Sequence, residues 1–177
     1  RVSMKHVLWI CLLLGTACSS TNIREDHADL QPTAPRATLE IVETVPTETT
    51  LDQPGLRQAN DVWRALMVGA KERVDIAQFY TCNKPGSRLD EVVQALRAAG
   101  TRGVKVRLLV DGKFSTKYPE TLDALAKIPG LQLRIFHVEP VMGGILHAKY
   151  FVVDGATAFV GSQNFDWRSL EHIHELG

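Results

Sequence analysis

Cysteine is scarce in this sequence. Three occur in 177 residues, Cys11, Cys18 and Cys82, which is no basis for a disulfide framework. Net charge is absent too: twenty Lys and Arg balance twenty Asp and Glu. That removes the strongly basic surface by which general nucleic-acid binders announce themselves, although it leaves room for a local phosphate groove. Long apolar runs are missing. Val7–Leu14 is unbroken but too short to span a bilayer comfortably. There is no internal repeat. His172 and His174 beside Glu175 do not have the spacing of a zinc site, and no Cys or further His is near them in sequence. Hydrophobic residues make up 45% of the chain, enough for one ordinary core, and the length suits one domain.

The charge is unevenly spread. Ser19 to Gly55 holds seven acids and two bases, whereas Leu56 to Gly177 holds sixteen bases and thirteen acids. Ahead of both lies a short basic start, Lys5 and His6 after Met4, then Val7–Leu14, then Gly15-Thr16-Ala17-Cys18. This order reads as an export signal over residues 1–18. Cys18 followed by Ser19-Ser20 resembles a bacterial lipoprotein cleavage site, with Gly15 standing where Leu is usual. The expectation is therefore an exported protein, periplasmic or membrane-attached, lipidated on Cys18. Cys82 is then left without a partner. Residues 19–38 are polar with Pro32 and Pro35, and read as a disordered tether.

From residue 39 the pattern is that of an alternating α/β chain. Thr38–Val45 reads as a short strand. Leu56, Ala59, Trp63, Leu66, Met67 and Ala70 fall at helical spacing. Val74–Tyr80 is a strand, and Thr81–Gly86 a loop. Ser87 and Asp90 make a capping pair for a helix through Leu89, Val92, Val93, Leu96 and Ala99, which Gly100 ends. Val104, Val106, Leu108 and Val110 have the period of a strand, closed by Asp111-Gly112. Lys113–Tyr118 reads as a solvated connector. Pro119 suits the first position of a helix through Leu122 and Leu125. Leu131–Val138 reads as another strand and Glu139–Gly144 as a loop. The order predicts a layered α-β-α fold around a central mixed β-sheet.

The most informative stretch is His147–Asn164. Tyr150–Val153 is aromatic and β-branched, as a strand requires. Residues two apart on a strand share a face, so His147 and Lys149 point the same way. Asp154-Gly155 is a turn signal, and Thr157–Val160 reads as the returning strand. The hairpin delivers Ser162 and Asn164 close to the end that carries His147. Ammonium, hydroxyl and amide suit the oxygens of a phosphate. An imidazole beside them can act as a nucleophile or as a general acid or base near neutral pH. Each residue alone has an ordinary structural reading. The six identities His147, Lys149, Asp154, Gly161, Ser162 and Asn164 at fixed spacing have a chance on the order of 10⁻⁷ to 10⁻⁸ at average composition.

That spacing, His-x-Lys-x4-Asp-x6-Gly-Ser-x-Asn, resembles the HKD signature of the phospholipase D superfamily. Phe165-Asp166-Trp167-Arg168-Ser169-Leu170 and Glu175-Leu176-Gly177 resemble the continuation in the branch holding animal and poxviral members. Val74–Tyr80 and Gly103–Arg107 resemble its first half. The resemblance implies one phospholipase-D-like repeat over residues 39–177 and a phosphodiesterase working through a phosphohistidine on His147. It implies that Lys149, Ser162 and Asn164 bind the phosphate oxygens. It makes Asp154 the motif's acidic member, orienting and electrostatic, and Glu175 the carboxylate that holds His147. It implies no metal and no cofactor. Phospholipid is the expected substrate, with nucleic acid, phosphatidyl transfer of cardiolipin-synthase type, or a catalytically inactive phosphate-binding module as alternatives. The family builds its site from two such motifs, and no second His-x-Lys occurs here. The expected partner is a second HKD half or a second copy of the chain.

Overall fold

The computed structural model describes residues 37–177, of which Leu39–Gly177 form one compact unit. The expected signal, Cys18 and the tether as far as Arg36 lie outside the described residues. In chain order the elements are β1 (Val42–Thr44), β2 (Arg57–Gln58), α1 (Ala59–Gly69), β3 (Arg73–Gln78), β4 (Thr81–Cys82), α2 (Arg88–Thr101), β5 (Lys105–Asp111), α3 (Pro119–Ala126), β6 (Leu131–Phe136), α4 (Glu139–Met142), β7 (Lys149–Val153), β8 (Thr157–Val160), β9 (Phe165–Asp166), α5 (Trp167–Glu171) and β10 (Glu175–Leu176).

The centre is a mixed five-stranded sheet in the order β6-β5-β3-β7-β8. β3, β5 and β6 are parallel, while β7 runs antiparallel to both β3 and β8. Alternation along the strands sorts the side chains. Val74, Ile76, Val106, Leu108, Val110, Phe151 and Val153 are buried together with the inner faces of α1, α2 and α3. Arg73, Lys105, Arg107, Gln132, Arg134 and Tyr150 are exposed on the opposite face. There Asp75 lies between Arg107 at 2.5 Å and Arg73 at 3.1 Å.

Local signals explain the helix ends. Ser87 caps α2 by accepting from the Asp90 N–H at 3.2 Å. The Asp90 carboxylate accepts instead from the Gly86 N–H and from Asn83, so the capping pair works with its second member shifted outward. Pro119 opens α3. Gly100 does not end α2, which runs to Thr101 and is followed by Gly103 at φ 94°; Gly100 is required for packing, since a Cβ there would lie 2.2 Å from the Pro129 carbonyl oxygen.

Trp63 fastens the motif to the core. It is fully buried on α1. Its ring stacks on Phe165 at 5.9 Å and meets Phe151 and Phe159 edge-on at 5.5 and 5.1 Å. Burial of each phenylalanine contributes about 1.5–3 kcal/mol, against about 0.5–1.5 kcal/mol for ring geometry. Removal of surface from water therefore dominates the attachment.

Several boundaries differ from the sequence reading: the strand read over Thr38–Val45 is Val42–Thr44, and that read over Val74–Tyr80 is Arg73–Gln78. Thr81–Cys82 pairs with Phe165–Asp166 as a two-residue parallel ladder, inside what reads as a loop. Glu139–Met142 is a single helical turn, not an open loop. The strand at Leu131 ends at Phe136, and the first helix starts at Ala59. The short ladder and the single turn are too short for hydrophobic periodicity to register, and the other differences are shifts of a few residues at element ends.

Candidate active site

The site lies at the edge of the sheet where the parallel strands β3 and β5 end, the usual place for ligands in such sheets. β7 enters at this edge because it runs the other way. Lys149 pairs with Gln78 at the end of β3, and the Gly161 N–H donates to the Lys149 carbonyl at 3.2 Å, closing the hairpin. Gly161 is required there by space: a Cβ would lie 2.3 Å from the Gln163 Oε1 and 2.9 Å from the Phe159 ring. Gln163 is buried, with Nε2 donating to Thr44 Oγ1 at 3.3 Å. The alternation that buries Gln163 leaves Ser162 and Asn164 on the other side of the chain.

His147 and Lys149 do meet. The Lys149 ammonium lies 2.8 Å from His147 Nε2. An ammonium can only donate, so Nε2 accepts and the ring hydrogen belongs on Nδ1. The imidazole stands edge-on to Phe79, with ring centroids 4.7 Å apart, and the ammonium lies 5.6 Å from the same ring. Partial burial lowers the pKa of Lys149, against the opposing field of Glu175.

Glu175 sits within a second chain of contacts. Ser169 Oγ donates to its carboxylate, and the Asn164 N–H donates to Ser169 Oγ at 3.0 Å. Burial raises the pKa of Glu175, opposed by the hydrogen bonds of Ser169 and Ser162 and by the charge of Lys149. The Ser162 hydroxyl also reaches the Leu176 carbonyl at 3.4 Å. The Asn164 Oδ1 is buried without a hydrogen-bond partner. Among the described residues the Glu175 carboxylate accepts from Ser169 and makes no hydrogen bond to the His147 ring, whose Nε2 faces Lys149.

Asp154 occupies the turn that Asp154-Gly155 predicts. It sits at the far end of β7, about 16 Å from Lys149 by strand rise. It adopts φ 54° and is followed by Gly155 at φ 67°, the two left-handed residues of a tight hairpin turn. Its carboxylate accepts from the main-chain N–H groups of Arg73, Glu72 and Lys71 at 2.8–2.9 Å. These three bonds hold its pKa below the usual carboxylate range. It orients the chain, not the substrate.

The structure places further residues around the site. Phe114 packs on Phe79 at 4.1 Å, so Lys113–Tyr118 is a wall of the site and not a solvated connector. Beyond it, Tyr80 donates to Asp166 at 2.9 Å, and Arg168 bridges Asp166 and the Tyr118 hydroxyl. Asp166 and burial together push the Tyr80 phenol well above its ordinary value, burial being the larger cause. The Lys84 ammonium lies 4.4 Å from the Trp167 ring, and Lys117 5.6 Å from the Tyr118 ring. His172 and His174 turn to different partners: His172 packs against Trp167, while His174 pairs with the buried Glu43 at 3.2 Å.

The ensemble is an imidazole whose Nε2 lone pair faces an ammonium, two polar side chains suited to phosphate oxygens and a half-buried carboxyl behind them. It can attack phosphorus and carry the charge of the five-coordinate group that forms.

Residues 64–177 match the family model described as "Cardiolipin synthase, PLD-like domain". The chain is 34% identical over 186 residues to phospholipase D Z of Dictyostelium discoideum, covering 98% of this chain and 43% of that protein. It is 34% identical over 150 residues to the 5'-3' exonuclease PLD3 of Bos taurus, covering 77% of this chain and 30% of that one. It thus spans less than half the length of either relative. Among solved structures, Nuc, a phospholipase D family member from Salmonella typhimurium, superposes with a TM-score of 0.57 at 23% identity, covering 77% of this chain and 78% of that one. That likeness bears on the fold.

Proposed function

The chain belongs to the phospholipase D superfamily, and from that premise we propose that it provides the nucleophilic half of a phosphodiester hydrolase. The observation that carries this reading is His147 Nε2 facing the Lys149 ammonium at 2.8 Å, beside the hairpin closure that brings Ser162 and Asn164 to the same edge. A phosphodiester oxygen competes for the ammonium, draws it off the ring and frees the Nε2 lone pair. Nε2 then bonds to phosphorus as the bond to the departing oxygen breaks. Water attacks the phosphohistidine in the second step, a new P–O bond forms and the P–N bond breaks. Lys149, Ser162 and Asn164 hold the phosphoryl oxygens throughout, with Lys149 offsetting their charge. The departing oxygen needs a proton in the first step. In this proposal a second HKD half, on a longer chain or a second copy, donates it.

Substitution of His147 by Ala tests the assignment. Hydrolysis of bis(p-nitrophenyl) phosphate without added metal should fall by at least ~10³-fold, as loss of a nucleophile does, with the circular dichroism spectrum unchanged. Turnover retained in the folded variant would remove His147 from the mechanism. A folded parent protein that binds inorganic phosphate yet never turns over would favour a phosphate-binding module.

One observation favours nucleic acid over phospholipid as substrate. Tyr80, Tyr118 and Trp167 alternate with Lys84, Lys117 and Arg168 next to Phe79. Aromatic faces stack bases and cations track a phosphate backbone, and an acyl chain uses neither. Export and lipid attachment through Cys18 belong to the proposal as well, supported by the order of residues 4–20. Release of product from a 5′-labelled single-stranded oligonucleotide, compared with phosphatidylcholine vesicles, separates the two substrates.

A further inference from the structure

We propose that Asp111 is a positioning residue for His147, holding the main chain just ahead of the nucleophile. This rests on the reading of His147 given above. Asp111 ends β5 and is 1% exposed. One carboxylate oxygen accepts from the Lys113 and Phe114 N–H groups at 2.9 and 3.2 Å. The other accepts from the Leu146 N–H at 2.6 Å, across 35 residues of sequence. A single buried carboxylate thus joins two loops that have no ladder between them. Gly112 keeps the junction tight, since a Cβ there would lie 2.3 Å from His137 Nδ1.

The segment that Asp111 grips has little else to hold it. Gly143 and Gly144 both adopt positive φ, and Val141, Met142 and Ile145 are exposed. The ladder of β7 begins only at Lys149. Among the described residues, the Leu146–Asp111 bond is the one hydrogen bond made by the main chain from Gly144 to His147. His147 itself is exposed, and its ring rests on Phe79. Phe79 in turn rests on Phe114, whose N–H is held by the same Asp111 carboxylate. Asp111 therefore controls both the backbone from which the imidazole springs and the wall against which it leans. Asn at this position retains an oxygen for the Lys113–Phe114 turn, but presents an amide NH₂ to the Leu146 N–H. Donor then faces donor, and the segment is pushed off.

The test uses the full chain and Asp111→Asn. With bis(p-nitrophenyl) phosphate, kcat should fall about 10–100-fold, the loss expected from misplacing a reacting group by about 1 Å. KM should stay within about threefold, because Lys149, Ser162 and Asn164 are untouched. The His147 ring resonances of protein labelled with ¹³C-histidine should broaden or shift, a readout that a general loss of stability does not move. A second protein protects against misfolding of the variant: an ester in place of the Ile145–Leu146 amide deletes the N–H and leaves Asp111 and its turn intact. It should show the same kcat loss and the same ring signature. Unchanged kcat and unchanged His147 resonances in both proteins would overturn the proposal. If the parent protein has no turnover but the His147 resonances respond to both changes, the positioning role stands and the hydrolase reading falls.

Discussion

At the scale of the single residue, the proposal gives Lys149 two duties. In the free site it donates to His147 Nε2, and in the proposed reaction it offsets phosphate charge. Burial lowers its pKa, so it gives up its proton at a lower pH than a free lysine does. Activity should therefore fall on the alkaline side below the ordinary lysine range. Lys149→Arg, whose guanidinium stays charged there, should move that limb upward while lowering the plateau, as read from kcat/KM across the alkaline range. Coincident limbs in the two proteins would mean another group titrates. The sequence made His147, Lys149, Ser162 and Asn164 legible because spacing of period two on a hairpin fixes which side chains share an edge. It could not disclose the partners of Glu175 and Asp154. Those depend on which backbone N–H groups and hydroxyls the tertiary fold brings near each carboxylate, and Ser169, Asp111 and Phe79 become visible only with them.

Among the elements, the β7–β8 hairpin and its turn were readable before any coordinates, from Tyr150–Val153, Asp154-Gly155 and Thr157–Val160. β4, β9 and α4 were not, since two residues or one turn carry no period. The position of Asp154 gives the turn a mechanical role. Its three main-chain acceptor contacts tie the hairpin tip to the entrance of β3. The carboxyl is held below its usual range, so this contribution is fully present above the unfolded carboxylate value. It is lost as pH falls through the lower, folded value. Asp154→Ala removes the contacts and leaves a residue poorly suited to positive φ. The expected outcome is a lower denaturation midpoint near neutral pH, and a smaller loss of stability on acidification than in the parent. The His147 resonances should stay in place. Should that substitution abolish the ring signature of His147 without lowering the midpoint, Asp154 would belong to the site after all.

At the scale of the molecule, His147 lies at the edge of a sheet whose second face is open among the described residues. The chain spans 43% of one relative and 30% of another. Under the proposal above, a second half-site supplies the proton of the first step. The expected result for the chain on its own is an initial rate that rises with the square of protein concentration in the dilute range, measured on a generic phosphodiester. A strictly linear rate down to the lowest measurable concentration would mean that one chain suffices.

The closure between Gly161 and Lys149 has a consequence for inheritance. It folds His147, Lys149, Ser162 and Asn164 onto one edge from eighteen consecutive residues. A catalytic set scattered over several elements can be copied only by copying the whole domain in register. Here a short contiguous cassette, seated on Trp63 by Phe151 and Phe159, carries the proposed nucleophile and the proposed phosphate ligands together. Duplication, exchange or loss of that cassette moves these four side chains as one unit.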